Sequence, residues 1–111
     1  MLYLFKLKNG EKEMKSETAT LQKIKVKVPS RYNVIFMNDN ITPMIFVSEV
    51  LETFFNYDKI SADVKMMEIH TNGSAIIGTY SYSEAETRKT LTDNCSKRYN
   101  YPLKVKIEES K

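Results

Sequence analysis

Tyr32-Asn33-Val34-Ile35-Phe36-Met37-Asn38-Asp39-Asn40-Ile41-Thr42-Pro43-Met44 changes character twice within thirteen residues. Its first six residues are aromatic, β-branched or apolar, with a single Asn, which is the composition of a buried strand. Thr42-Pro43 marks a helix start: threonine caps free N–H groups, and proline suits the first helical position, where its missing N–H costs nothing. Between the two, Asn38, Asp39, Asn40 and Thr42 crowd a strand-to-helix loop held by regular structure at both ends. Binding groups concentrate on loops of that kind. Asn and Asp are also ordinary turn formers, so on this stretch alone a plain turn is the first reading.

Downstream, Val47, Val50, Leu51, Phe54 and Phe55 follow the helical period, giving a helix over 43–55. Asn56-Tyr57-Asp58 is a short break. Asp58 caps a second helix running to about His70, and Asn72-Gly73 supplies a left-handed stop. Residues 74–82 read as a strand around Ile76, Ile77 and Tyr80. Ser83-Glu84-Ala85-Glu86 fits a capping box for a third helix ending near Arg98. Pro102 opens a last strand, in which Leu103, Val105 and Ile107 alternate with Lys104 and Lys106. The order β-α-α-β-α-β predicts an α+β domain with three helices packed on a three-stranded sheet.

Upstream, residues 7–20 have only Leu7 and Met14 as large apolar side chains, and Asn9-Gly10 is a turn signal. From Leu21 to Val28, Ile24, Val26 and Val28 alternate with Lys23, Lys25 and Lys27. That is a strand-like pattern with a lysine face that discourages edge pairing. The division expected is a mobile N-terminal extension over 1–28 and a folded domain over 29–111. The charge follows this division. Residues 1–31 carry eight Lys/Arg against three Glu, and the remainder nine against eleven Asp/Glu, so a net +5 precedes a body of −2. A body of that sign argues against nucleic-acid binding, while the basic segment keeps a ribosome- or nucleic-acid-associated role as the alternative.

The 111 residues suit one domain. No apolar run reaches the roughly 18 residues of a membrane span. Met1-Leu2-Tyr3-Leu4-Phe5 ends at Lys6 and is too short for a signal peptide. The lone Cys95 fits a reducing cytoplasm and reads as a small core residue. One His and one distant Cys make no zinc set, and three glycines make no phosphate cradle. No metal, no cofactor and no catalysis are expected: the chain reads as a binding module. His70 stands four residues after Met66, with Ile69 beside it, on one helix face.

Asn38-Asp39-Asn40-Ile41-Thr42-Pro43-Met44, followed by Phe46-Val47 and Val50-Leu51, resembles the signature of the ClpS family, Asn-Asp-Asp-x-Thr-Pro-Met opening a helix. Met66-Met67-Glu68-Ile69-His70, Gly73, Gly78, Ala85-Glu86-Thr87-Arg88 and Tyr101-Pro102-Leu103 continue the match in the same order, so the resemblance covers residues 29 to about 109. It implies a monomeric cytoplasmic adaptor of the Clp protease. Such an adaptor binds proteins with a bulky hydrophobic N-terminal residue (Leu, Phe, Tyr or Trp) and delivers them to the N-terminal domain of a ClpA-type AAA+ unfoldase. It further implies that Asn38, Asp39, Asn40 and His70 hold the substrate's α-amino group. Thr42, Met44, Val47, Met66, Ile69 and Leu103 would receive the first side chain, and Glu84, Glu86 and Arg88 would face the unfoldase. Two departures stand out: Asn40 replaces the family's usual Asp, and Ile45 its common acidic residue.

Overall fold

The computed structural model describes residues 29–111. The expected extension over 1–28, and the strand-like segment within it, lie outside the described residues. The elements are β1 (Tyr32–Met37), α1 (Met44–Phe55), α2 (Lys59–Asn72), β2 (Ser74–Tyr80), α3 (Tyr82–Arg98) and β3 (Lys104–Glu109). The three strands form an antiparallel sheet in the order β2-β1-β3, so the first strand is central. Its period-two pattern explains that place. Val34 and Phe36 are completely buried beneath the helices, and both edges of β1 are hydrogen-bonded, to β2 and to β3. The helices thus cover one face of the sheet, and the architecture is the α+β arrangement expected from the order of elements.

The core gathers Val34 and Phe36 from β1, Phe46, Val47, Val50, Leu51 and Phe55 from α1, Ala62 and Ile69 from α2, and Ala75, Ile77, Ala85, Leu103 and Val105. Phe36 meets Phe55 edge to face, with ring centroids 5.4 Å apart. The β1–β2 register shifts between Val34 and Ile35, opposite Gly78 and Ile76. The absent Cβ at Gly78 leaves room for the Tyr80 ring, which would have to shift if a side chain stood there.

Asp58 caps α2 as expected, accepting from the Ser61 N–H at 2.7 Å, and Gly73 ends it with φ of 90°. Four expected boundaries move: the starts of α1, α3 and β3 and the end of β2. Pro43, with extended backbone, is the N-cap of α1, and no side chain caps that helix. Thr42 spends its hydroxyl on Asp39 instead. Ser81, not Ser83, caps α3 by accepting from Glu84 N–H at 3.2 Å, so the Ser83–Glu86 capping box does not form. A capping serine lies just outside its helix, and starting α3 at Tyr82 ends β2 at Tyr80. β3 opens at Lys104 rather than Pro102, because proline has no N–H for the ladder. Among the described residues, no helix is long and apolar enough to cross a membrane.

Candidate functional site

The loop after β1 is organised by a single carboxylate. Asp39 Oδ1 accepts from the Ile41 N–H at 2.8 Å and the Thr42 N–H at 2.6 Å, and Oδ2 accepts from the Thr42 hydroxyl at 2.8 Å. These bonds turn the chain tightly into α1, an Asx-type turn with a second anchor. Partial burial alone would raise the pKa of Asp39. The bonds from the Thr42 backbone, the Thr42 hydroxyl and the Ile41 backbone outweigh it and hold the carboxyl below its ordinary range.

A second tie fixes where the loop begins. Asn38 N–H donates to the Gly73 carbonyl at 2.9 Å, and Gly73 N–H donates to the Ile69 carbonyl at 2.9 Å. The left-handed turn that ends α2 therefore holds the end of β1, which brings Asn38 to the helix end that carries His70. A third contact binds the two helices: Ser48 on α1 donates to Asp63 on α2 at 2.6 Å.

At this junction Met37, Asn38, Asp39, Thr42, Met44, Val47, Met66, Ile69, His70 and Leu103 line one cleft. Nine of the ten substrate-site residues expected from the sequence are thus brought together. Val47, Ile69 and Leu103 are buried in the core as well as lining the cleft, so they form its floor. Met44 and Met66 stand at its sides, Met44 being 39% exposed. Asn38, Asp39, Thr42 and His70 supply its polar groups, and Asp39 is the one carboxylate in the lining. Asn40 is exposed in the loop and does not line the cleft. Met37 does line it and was not anticipated; as the last residue of β1 it read as ordinary strand. Its position directly before the polar loop was the available signal.

The free volume of the cleft is only about 10 Å³, room for about one water. Admitting a side chain requires the walls to move. Met44 and Met66 are suited to that: unbranched thioether chains change rotamer readily and adapt to varied shapes.

The expected partner face divides. Glu84 and Glu86 are exposed on the first turns of α3, with Glu86 accepting from the Tyr82 hydroxyl at 3.1 Å. Arg88 turns inward. Its guanidinium donates to the Phe54 carbonyl at 2.6 Å, near the C-terminal end of α1, and lies over the Tyr80 ring at 4.7 Å. Glu84 approaches it at 3.7 Å. Arg88 thus ties α3 to the end of α1, where a cation complements the helix dipole. Among the described residues, no three His, Cys, Asp or Glu side chains are placed to hold a metal ion.

Comparison with known proteins gives matches over most of the chain. The family model for the ATP-dependent Clp protease adaptor protein ClpS matches residues 27–106. A ClpS adapter of Vibrio atlanticus is 42% identical over 94 residues, covering 85% of this chain and 89% of that protein. The ClpS adapter of Parvibaculum lavamentivorans is 42% identical over 89 residues, covering 80% and 81%. Among solved structures, Agrobacterium tumefaciens ClpS2 bound to L-phenylalaninamide superposes with a TM-score of 0.73 at 30% identity, covering 75% of this chain and all of that one.

Proposed function

The chain belongs to the ClpS family of ATP-dependent Clp protease adaptors, and from that premise we propose that it captures proteins by a bulky hydrophobic N-terminal residue. One observation carries the reading. The cleft joins an apolar floor of Val47, Ile69 and Leu103 to a polar end formed by Asn38, Asp39 and His70. An N-terminal residue is the one part of a polypeptide that offers an apolar side chain and a cationic amine on the same carbon. The Asn38 side-chain carbonyl and a ring nitrogen of His70 accept from the ammonium group. The Asp39 carboxylate spends its oxygens on the loop, so it acts on the amine through its charge. Met44 and Met66 open to admit Leu, Phe, Tyr or Trp. The L-phenylalaninamide on the Agrobacterium relative pairs an aromatic side chain with a free amine, which supports the same chemistry here.

No chemical step follows capture; the protein is an adaptor that hands its cargo on. Its partner is the AAA+ unfoldase of the Clp protease, of the ClpA type, in the cytoplasm. Docking of the unfoldase's N-terminal domain uses the α3 surface around Glu84 and Glu86, with Arg88 as the tie beneath it. Residues 1–28 act in delivery and residues 29–111 in recognition.

The test is fluorescence anisotropy with peptides that differ only at the first residue and its amine. Free Phe-, Leu-, Tyr- and Trp-initiated peptides bind, while their acetylated forms and Gly-initiated controls do not. Equal binding of free and acetylated peptides removes the proposed role of the polar end. Deleting residues 1–24 leaves peptide affinity unchanged and abolishes degradation of a substrate by the Clp machine; delivery at full rate by the truncated chain removes the extension from that step.

A further inference from the structure

A second concavity flanks α1. A groove of about 310 Å³ runs between α1 and the C-terminal end of α3, and it shares no lining residue with the cleft. Its walls are aromatic. Tyr99 and Tyr101 stack with ring centroids 5.9 Å apart, and Phe46 meets Tyr101 edge to face at 4.8 Å. Ile45 and Tyr99 are 67% and 56% exposed, so large apolar side chains in this lining face solvent. Glu49 is the one charged side chain in the lining, and it makes no ion pair with another described residue. The volume falls in the range of pockets that hold small ligands. An exposed apolar wall beside one free carboxylate suits an aromatic segment that carries cations at its edge.

The chain itself contains such a segment. Leu2-Tyr3-Leu4-Phe5-Lys6-Leu7-Lys8 sets two aromatic residues and three leucines beside two lysines. Upstream of residue 29, Tyr3 and Phe5 are the only aromatic residues. Residues 9–20 offer only Met14, and over 21–28 lysines separate Ile24, Val26 and Val28. The reach is ample. Phe54 lines one end of the groove; the ring of the next residue, Phe55, lies 6.3 Å from that of Tyr80, and Tyr80 pairs with Tyr32 at the start of β1. That end of the groove therefore lies near the point where residues 1–28 join the domain. From there the groove follows α1, which is about 18 Å long. The chain between Phe5 and Pro29 spans up to roughly 80 Å when extended. The charges are complementary, a net +5 over residues 1–31 against −2 over the remainder.

We propose that residues 2–8 dock in this groove of the same molecule. The Tyr3 and Phe5 rings pack on Phe46, Tyr99 and Tyr101, and Lys6 and Lys8 lie beside Glu49. The contact is intramolecular, so modest affinity is enough to populate it. Docking holds the N-terminal segment against the domain on a surface separate from the cleft, and a partner that grips this segment must first draw it out.

The test is NMR of the full chain, isotope-labelled, with thermal unfolding to check that each variant folds. Nuclear Overhauser contacts are expected from the Tyr3 and Phe5 rings to the side chains of Val50 and Tyr101. Tyr3→Ser/Phe5→Ser abolishes them and shifts the amide signals of Ile45, Phe46, Val50 and Tyr99, while those of Asn38 and His70 stay in place. Lys6→Glu/Lys8→Glu weakens docking roughly two- to fivefold for each exposed pair lost, and adding Glu49→Lys to that variant restores the ring contacts. No loss in the lysine variant, or no recovery on the charge swap, removes Glu49 from the contact. Groove amides unmoved by Tyr3→Ser/Phe5→Ser overturn the docking outright. Shifts at Asn38 and His70 instead put the segment in the cleft and overturn the groove assignment. In a mixture of labelled and unlabelled chains, ring contacts found only between copies give the groove to a second molecule and overturn docking within one chain.

Discussion

Replacing Asp39 separates its role in building the loop from its charge. Asp39→Ala removes three hydrogen bonds, those from Ile41 N–H, Thr42 N–H and the Thr42 hydroxyl. A net intramolecular bond contributes about 0.5–1.5 kcal/mol, and more when one partner is charged. The Ile41 bond is exposed and water replaces it cheaply, so it stands near the bottom of that range; the two Thr42 bonds are partly buried and stand nearer 1 kcal/mol each. Because the three share one side chain they are not independent, and the expected loss is about 1.5–2.5 kcal/mol. Asp39→Asn keeps a carbonyl for both backbone donors, and its amide can donate to the Thr42 oxygen, so it costs about 0.5–1 kcal/mol. Urea unfolding of the two variants measures both values. The pH dependence adds a second readout. The native carboxyl lies below its ordinary range, so its stabilisation is fully present above the unfolded carboxylate range and is lost as pH falls through the lowered native value. The Asn variant lacks that component of the acid limb. Equal losses for Ala and Asn, or no loss for Ala, would refute the loop-building role; an unchanged acid limb in the Asn variant would refute the charge assignment.

His70 is exposed at the last turn of α2, so His70→Ala leaves thermal unfolding near wild type while weakening peptide binding by roughly 1.5–3 kcal/mol; wild-type affinity by anisotropy removes His70 from the site. Asn40 stands outside the cleft lining, so Asn40→Asp acts on a bound amine only at long range. For charges about 10 Å apart the gain is about 0.4–1 kcal/mol, fading at high salt, and a larger, salt-independent gain by titration would place the residue in contact. Phe36 is fully buried in the middle of the sheet and packed on Phe55; Phe36→Ala costs about 3–5 kcal/mol in chemical denaturation, a large part of the stability of a small domain.

Several features were legible in the chain alone, because each rests on local physics. The order of six elements follows from periodicity and from punctuation such as Asp58 and Gly73, whose cap and left-handed turn are local conformations. Where two candidates for a cap lie close together, the sequence leaves the choice open. Ser83 has a fitting glutamate at 86, yet Ser81 is the cap, because α3 begins at Tyr82, directly after β2 ends at Tyr80. Thr42 reads as a helix cap by type, but its hydroxyl serves Asp39, a bond that exists only once the loop has closed.

The residues of the cleft were named from a motif resemblance; composition and spacing did not supply them. Only the tertiary structure unites them. The Asn38–Gly73 bond joins positions 35 residues apart in the chain, and it brings the end of β1 to the end of α2. Sequence spacing carries no information about such a contact, and it is the fold that puts Met37 in the cleft lining and leaves Asn40 outside it. Arg88 shows the same limit from the other side. On an isolated helix it pairs with Glu84 at the surface; in the fold the Phe54 carbonyl and the Tyr80 ring draw it inward. Short-range geometry is set by each residue's own backbone preferences and is written along the chain. Which side chains share a cleft, and which charge faces a carbonyl, depend on how the packed elements close on one another.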